Sequence, residues 1–152
     1  MLGSVNMDLV TSTRRLPAPG ETVLGSGFTT VCGGKGSNQA IAAARAADSG
    51  DPAGLIRGVR FLGAVGEDAF GTELRANLVA AGVYADQVRT VPGPSGIASI
   101  LVDDAAENVI VVVPGANGTF ARLTAAEEES LAASDVVICQ LEIPLPIVVH
   151  AA

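Results

Sequence analysis

The chain is poor in aromatic residues, with no tryptophan, one tyrosine and four phenylalanines among 152 residues. Because 49% of the sequence is nonetheless hydrophobic, its core must be built from Val, Ile, Leu and Ala. A chain of this length has the size of one ordinary domain and can bury roughly 70% of its unfolded surface. The eighteen glycines and eight prolines indicate many turns and argue against a long helical bundle.

Cysteine, histidine and positive charge are also scarce. Cys32 and Cys139 lie far apart without a CxxC neighbour, so we interpret them as reduced, buried thiols and not as a zinc site or a disulfide framework. Nine scattered Lys and Arg residues against sixteen Asp and Glu residues give a net charge of −7, which argues against nucleic acid as a partner. His150 is the only histidine and lies near the chain end, where we do not expect a catalytic role.

Long hydrophobic runs are missing as well. The longest run, at 109–114, is far too short to cross a bilayer. No signal-peptide pattern precedes Gly3. We therefore expect a soluble, cytoplasmic protein without a membrane partner.

What the sequence does contain is an alternation of strand and helix patterns. Asp68 is placed to cap a helix whose apolar residues recur at four-residue spacing, and Gly82 is placed to end it. Thr124 and Glu127 fit the capping box of a later helix. The apolar run DVVICQLE, at 135–142, predicts a buried strand. The helix capped by Thr124 is predicted to end near Ser134. Further predictions are a strand ending near Leu2, a polar loop over 3–8, a helix at 37–47, a loop at 48–54, a strand at 59–65 and a last helix starting near 144.

Two regions have a different, β-rich character. The runs GIASILVD and ENVIVVV, within 96–113, are separated by a short polar stretch, which predicts a hairpin. Residues 21–31 predict one or two short, partly exposed strands. Together these patterns predict an α/β fold, in which a partial parallel sheet with flanking helices carries a small β-sheet lid. Because the chain starts late in a strand and stops early in a helix, we interpret it as part of a larger domain.

The glycine-rich stretch VCGGKGSNQA precedes the first predicted helix. A Walker phosphate loop is excluded, because Thr29 stands where the first glycine is required and Gly36 where a Ser or Thr is required. The dinucleotide fingerprint fails too, because its third glycine is missing. Two interpretations remain: a structural turn, or a backbone turn that approaches a ligand beside Lys35 and Asn38.

Polar residues follow two of the predicted parallel strands. Asn6 and Asp8 come after the first strand and Glu142 comes after the last. Polar groups just beyond the carboxyl ends of parallel strands line the ligand crevice of open α/β sheets. Together with Lys35, these side chains supply the donors and acceptors needed to hold several sugar hydroxyls. For Asn6 or Asp8 alone, a turn-stabilising role remains equally open.

Seven motifs resemble those of one known family over nearly the whole chain. In chain order they are GSVNMDLV, LPAPGETV, GGKGSNQAIAAAR, GEDAFG, GIASILVD, ENVIVVVPGAN and QLEIP. This order resembles the ribokinase (PfkB) family of carbohydrate kinases, and its ribokinase branch more than its fructokinase or adenosine kinase branches. The resemblance implies an α/β domain of the Rossmann-like ribokinase type, with a β lid that also forms a homodimer interface. It also implies phosphoryl transfer from ATP to the 5-hydroxyl of D-ribose, with Mg²⁺ and a monovalent cation such as K⁺.

The resemblance also assigns residues. By motif, the ribose site would consist of Asn6, Asp8, Gly34, Lys35, Asn38 and Glu142, with Ile100 and Val112 as an apolar cover over the sugar. The family's Gly-Ala-Gly-Asp segment, which carries its general base and anion hole, does not occur in the sequence, and neither do its nucleotide-binding loops.

We therefore expect residues 1–152 to be the N-terminal, sugar-binding part of such an enzyme, with lid strands at about 21–31 and 96–113. The chain would be inactive alone and would carry no catalytic, cofactor or metal site of its own. The alternatives are a non-catalytic sugar-binding or dimerising lid module, and a kinase for another sugar or nucleoside of the same family.

Overall fold

The computed structural model describes residues 1–49 and 58–152, so most of the loop predicted at 48–54 lies outside the described residues. Strands and helices alternate along the chain except in the β-rich regions. In chain order the elements are β1 Asn6–Thr13, β2 Gly25–Gly33, α1 Lys35–Asp48, β3 Gly63–Gly66, α2 Ala69–Ala80, β4 Val88–Val91, β5 Gly96–Val102, β6 Asn108–Val113, α3 Ala116–Thr119, α4 Ala125–Ala132 and α5 Leu145–Ala151.

The described strands form a four-stranded sheet and a small parallel sheet. The four-stranded sheet has the order β2-β1-β5-β6, in which β1 pairs antiparallel with β2 and parallel with β5, and β5 and β6 form the predicted hairpin. The small sheet pairs β3 with β4 in parallel. Single parallel bridges extend it from Leu62 to Leu2 and from Leu2 to Cys139. The predicted α/β class, with a small parallel sheet and flanking helices, is confirmed.

Two apolar clusters hold the helices against the parallel sheet. One contains Met7 of β1, Phe61 and Leu78 of α2, and the other contains Leu62 and Phe120, together with residues of α5. These side chains are at most 2% exposed. Fully burying a side chain of this size contributes about 1.5–3 kcal/mol relative to leaving it exposed. The core is therefore aliphatic with a few phenylalanines, as the composition predicts.

The predicted helix ends depend on local capping, and the structure confirms them closely. The Asp68 carboxylate accepts a hydrogen bond from the Gly71 amide and caps α2, and Gly82 follows the helix with a φ of 79°. Thr124 and Glu127 form the complete capping box of α4. Two ends differ slightly: α1 begins at Lys35, two residues before the predicted start, and α4 ends at Ala132 and not near Ser134.

The polar loop predicted over 3–8 is wrong in its second half. Asn6 and Asp8 lie in β1, which is paired on both sides, and not in a loop after a strand. Within β1 these polar residues alternate with Met7, which is fully buried, and Leu9, which packs against the core. Such alternation is typical of a strand with one face on the core. The strand predicted to end near Leu2 is reduced to the two bridges of that residue.

The strand predicted at 135–142 is also wrong. Within 135–142, which the structure describes in full, only Cys139 makes a β-bridge, and the Leu2 amide donates to the Ile138 carbonyl at 3.0 Å. Val136 and Ile138 are 71% and 43% exposed. The apolar run was the only basis for the prediction, whereas a strand also needs a paired backbone on at least one side along its length. The segment predicted as a strand at 59–65 likewise pairs fully only from Gly63 onward.

None of the helices in residues 1–49 and 58–152 is both long and apolar enough to cross a membrane.

Candidate functional site

The glycines of the GGKG stretch bring the start of α1 against the segment that leads into β1. Gly34 has a φ of 95°, and a Cβ on it would lie 2.8 Å from the Asn6 amide nitrogen. A Cβ on Gly36 would lie 2.7 Å from the Ser4 amide nitrogen. Real side chains do not tolerate such distances, so these positions require glycine. The helix start and β1 are thereby held in direct backbone contact.

The Glu142 carboxylate lies at the centre of the site. Its Oε1 is 2.8 Å from the Lys35 Nζ, and its Oε2 accepts a 2.7 Å hydrogen bond from the Ser4 hydroxyl. The Lys35 amide donates to the same Oε2 at 3.2 Å. Burial by itself would raise the pKa of Glu142, but the hydrogen bonds from Lys35 and Ser4 outweigh it and the pKa is lowered. Glu142 is therefore held ionised and fixed in position.

Asp8 contributes a second carboxylate. It lies opposite Val31 of β2, and a Cβ on the adjacent Gly33 would collide with its carboxylate oxygens. Partial burial, and secondarily the negative charge of Glu142, raises the pKa of Asp8. The structure pairs the Glu142 carboxylate with a cation and gives Asp8 no cation within the described residues. Asp8 is thus the carboxylate whose oxygens are available to a ligand.

Four of the predicted site residues share one face of the four-stranded sheet. Asp8 pairs in register with Ala98, which pairs with Val112, and two residues farther along Val10 pairs with Ile100. Side chains in register project to the same face, and alternate residues of one strand do so too. Asn6, Asp8, Ile100 and Val112 therefore lie on a common face.

The structure brings the predicted residues together to different degrees. Contacts join Lys35 to Glu142, and the glycine turn at Gly34 to Asn6. Asn38 lies one turn after Lys35 on α1, where its amide bonds to the Gly34 carbonyl and its side chain is exposed. Asn38 follows Lys35 on α1, and Ile100 and Val112 share the sheet face of Asp8. The described contacts do not include a bond from any of these three side chains to Asp8 or Glu142.

Two further residues of the site were missed by sequence reasoning. Ser4 is fully buried and bonds to Glu142, and its hydroxyl also accepts from the Gly36 amide at 3.4 Å. Asn117 is 1% exposed and donates to the Asn6 Oδ1 at 2.7 Å. Both residues occur within quoted motifs, as the serine of GSVNMDLV and the last residue of ENVIVVVPGAN. Their place in those motifs was the available signal.

The donor and acceptor set suits an uncharged polyol better than a metal ion. Lys35 neutralises Glu142, which leaves Asp8 as a single unpaired carboxylate beside amide groups. No group of three or more His, Cys, Asp or Glu in the described part of the chain is arranged to hold a metal. A hydroxyl can both donate to Asp8 and accept from an amide or ammonium group. Chemically, the arrangement can orient a molecule with several hydroxyls.

Known proteins match the chain in sequence and in fold. The pfkB family carbohydrate kinases match residues 1–150. A ribokinase of Schizosaccharomyces pombe is 42% identical over 149 residues, which are 95% of this chain and 45% of that protein. Among solved structures, a Thermotoga maritima ribokinase has a TM-score of 0.85 at 30% identity, over 98% of this chain and 46% of that one. An Arabidopsis thaliana ribokinase, solved with ribose and ATP, has a TM-score of 0.77 at 33% identity, over 94% of this chain and 45% of that one. The chain thus spans a little under half the length of these relatives.

Proposed function

Because the chain belongs to the pfkB family of carbohydrate kinases, we propose that it is the sugar-binding part of a ribokinase-type phosphotransferase. The complete reaction would transfer the γ-phosphoryl group of ATP to the 5-hydroxyl of D-ribose, giving D-ribose 5-phosphate and ADP. Residues 1–152 would supply the ribose site, with the four-stranded sheet as its lid. The location would be the cytoplasm, to which the two free cysteines are suited.

This proposal depends mainly on two carboxylates near the start of α1, those of Asp8 and Glu142. Asp8 would accept hydrogen bonds from sugar hydroxyls, and the Lys35 ammonium, 70% exposed in its side chain, would donate to a hydroxyl oxygen. Gly34 would let the backbone approach the sugar, and Asn6, Asn38 and Glu142 would complete the polar contacts. In phosphoryl transfer most of the protein's contribution is positioning and electrostatic stabilisation. These residues would therefore fix the orientation of the sugar before transfer.

The apolar residues on the same face have a separate role in the proposal. Ile100 is half-buried and Val112 is 47% exposed, on neighbouring strands of the four-stranded sheet. Against the nonpolar face of a sugar ring they would exclude water from the polar contacts below. In a site with less water, each hydrogen bond to the sugar is electrostatically stronger.

ATP, Mg²⁺ and K⁺ would be required by the complete reaction, but the described residues do not fit them. The glycine turn fails the Walker pattern, and the site offers one unpaired carboxylate and an ammonium group, a poor donor set for a divalent cation. We therefore assign no step of phosphoryl transfer to this chain. Because the described residues offer no ATP site, we expect the isolated chain to show no ATP-dependent turnover. Lack of a general base alone would lower the rate by about 10²–10⁴.

A second candidate function is that of a non-catalytic module that dimerises or binds sugar. It is favoured by β6, an edge strand on which all six residues are exposed and five in succession, Val109–Val113, are apolar. Exposed apolar edge strands are surfaces on which chains associate. A homodimer through the four-stranded sheet is compatible with both candidates.

Titration calorimetry tests the proposed sugar site directly. We expect the chain to bind D-ribose saturably and Glu142→Gln to bind it at least about tenfold more weakly, because the ion pair with Lys35 is lost. Glu128→Gln is the matched control, because Glu128 is exposed and pairs with His150 instead. Deoxyribose, fructose and adenosine in the same assay would rank the alternative substrates. A folded chain that binds none of these ligands, or an unaffected Glu142→Gln variant, would contradict the proposal.

A further inference from the structure

Asn117 connects the end of one lid strand to the beginning of another. It lies in α3, shortly after β6, and its side chain reaches the residues at the start of β1. Its Oδ1 accepts from the Val5 amide at 3.0 Å, and its Nδ2 donates to the Val5 carbonyl at 3.0 Å and to the Asn6 Oδ1 at 2.7 Å. Both amino hydrogens and the carbonyl oxygen of this buried side chain are therefore used.

The Val5 backbone fixes which way the Asn117 carboxamide points. A backbone N–H can only donate and a backbone C=O can only accept, so the oxygen of Asn117 must face the Val5 nitrogen. Turning the carboxamide over would place its amino group on the Val5 N–H and its oxygen on the Val5 carbonyl. That would break both bonds and leave buried polar groups unpaired, which is costly.

The direction of Asn117 in turn fixes the direction of Asn6. The Asn117 atom closest to Asn6 is an amino nitrogen, so it requires an acceptor, and the Asn6 oxygen must point toward it. The Asn6 amino group is then the end of the carboxamide left for a ligand, and the described contacts give it no partner. It lies on the sheet face that also carries Asp8.

The space for this contact exists because position 96 is glycine. Gly96 is the register partner of Asn6 on β5, and a Cβ there would collide with both the Asn117 amino group and the Asn6 oxygen. Any larger residue would push the two carboxamides apart. The contact thus depends on three elements, β1, β5 and α3, that meet at one point.

We propose that Asn117 is a positioning residue that sets the direction of the Asn6 carboxamide, so that Asn6 presents a hydrogen-bond donor to the ligand. The complementary ligand group is an acceptor oxygen, such as a hydroxyl oxygen, next to a hydroxyl that donates to Asp8. Only the identity of this ligand rests on the proposed sugar site. The direction of Asn6 follows from the Val5 backbone and can be tested without a ligand.

Proton exchange in the unmodified chain gives the first test. Asn6 is only 3% exposed, but the described contacts give its amino group no partner, whereas both amino hydrogens of Asn117 are bonded. By NMR with isotope-labelled asparagine, we therefore expect the side-chain amino protons of Asn117 to exchange with water more slowly than those of Asn6. Exchange at Asn6 that is as slow as at Asn117, or slower, would overturn the proposal. This measurement needs no variant and no ligand.

The variant Asn117→Asp gives the second test. The new carboxylate can still accept from the Val5 amide but cannot donate to Asn6, so the Asn6 carboxamide should turn over and donate to it. We expect the side-chain amide signals of Asn6 to shift, whereas Asn108→Asp, an exposed position on the same hairpin, should leave them in place. Unchanged Asn6 signals in a folded Asn117→Asp variant would overturn the proposal.

Ribose affinity separates this inference from the proposed function. Asn6→Asp keeps an acceptor for Asn117 and replaces the outward donor, so both Asn6→Asp and Asn117→Asp should bind D-ribose at least about tenfold more weakly. Full affinity in either folded variant would overturn the positioning role. If the unmodified chain binds no ribose while the NMR results hold, the sugar assignment fails and the direction of Asn6 stands.

Discussion

Asp8 and Glu142 share one site, but the pKa values of their carboxyl groups shift in opposite directions. Partial burial and the charge of Glu142 raise the pKa of Asp8. Glu142 is also partly buried, but the hydrogen bonds from Lys35 and Ser4 lower its pKa. Asp8 therefore takes up a proton at a higher pH than an ordinary aspartate does, whereas Glu142 stays ionised to a lower pH than an ordinary glutamate does.

Asp8→Asn should remove the part of the pH dependence of ribose binding that is due to Asp8. In the unmodified chain, D-ribose affinity should fall as the pH drops toward the raised pKa of Asp8, above the ordinary aspartate value of 3.8, because a protonated carboxyl loses acceptor capacity. The variant should bind at least about tenfold more weakly at neutral pH and show a flat profile over that range. Calorimetry at a series of pH values measures both.

Asp8→Asn should weaken ribose binding but increase the stability of the folded chain. A carboxyl group whose pKa is raised on folding binds its proton more tightly in the folded chain, so its ionised form lowers the free energy of unfolding at neutral pH. Asp8→Asn should therefore be more stable than the unmodified chain at neutral pH. Asp104→Asn, in the exposed turn of the hairpin, is the control for both measurements. A destabilised Asp8→Asn variant would mean that Asp8 has a structural and not a ligand-binding role.

For individual residues, the sequence indicated which side chains carry the polar groups of the site. It did not indicate which of those groups are left to bind a ligand. Lys35 and Glu142 were expected in one site and form an ion pair there. The buried contacts of Ser4 and Asn117 were not predicted, because they join positions more than a hundred residues apart. Such contacts leave no periodicity or local spacing in the sequence.

Among the elements, α2 is tied to the four-stranded sheet by the residue that caps it. The Asp68 Oδ1 accepts from the Gly71 amide and the Ser95 hydroxyl, and its Oδ2 accepts from the Ser95 amide just before β5. Burial would raise the pKa of Asp68, but the bonds from Ser95 and Gly71 outweigh it, so the pKa is lowered. The Asp68 side chain thus caps α2 and also holds the residue before β5 by hydrogen bonds.

Asp68→Ala should lower the free energy of unfolding by about 2 kcal/mol or more, because the loss of a helix cap adds to the loss of a partner for the buried Ser95 amide. Asp68→Asn should cost less, because its side-chain oxygen can still cap α2. Urea denaturation of both variants measures the difference. Equal losses would show that the charge of Asp68, and not its place as a cap, provides the stability.

The elements that the sequence predicted well are those defined by neighbouring residues. The caps at Asp68 and Thr124 are contacts within a few positions, and both were predicted correctly. The strand predicted at 135–142 was wrong because strand formation depends on backbone partners that are distant in sequence. Among the described residues, Leu2 is the partner that bridges to this segment. The strand β1 was mistaken for a loop for the same reason, because β2 and β5 hold its polar residues in an extended backbone.

For the whole molecule, the exposed strand β6 predicts self-association. Val111 is 60% exposed on the face of β6 opposite to Val112 and the proposed ligand side. We expect the chain to dimerise through this strand and Val111→Lys to be monomeric, because a lysine charge cannot be buried unpaired in an apolar interface. Light scattering after size-exclusion chromatography measures the mass.

Val79→Lys is the matched control for this prediction, because Val79 is also 60% exposed but lies on α2. It should leave the mass of the chain unchanged. A dimer that persists in Val111→Lys, or that is lost in Val79→Lys, would place the interface elsewhere or show that association is not specific.

The parallel pairing of β1 with β5 also affects how the chain folds during its synthesis. The ribosome releases β1 and β2 long before β5, since α1, α2 and the small parallel sheet are encoded between them. Until β5 emerges, the nascent chain carries an unpaired edge on β1, and such edges recruit chaperones or lead to aggregation. Joining segments so distant in sequence is slow. Closure of the β1–β5 pair should therefore be the late, rate-limiting event in folding of this chain.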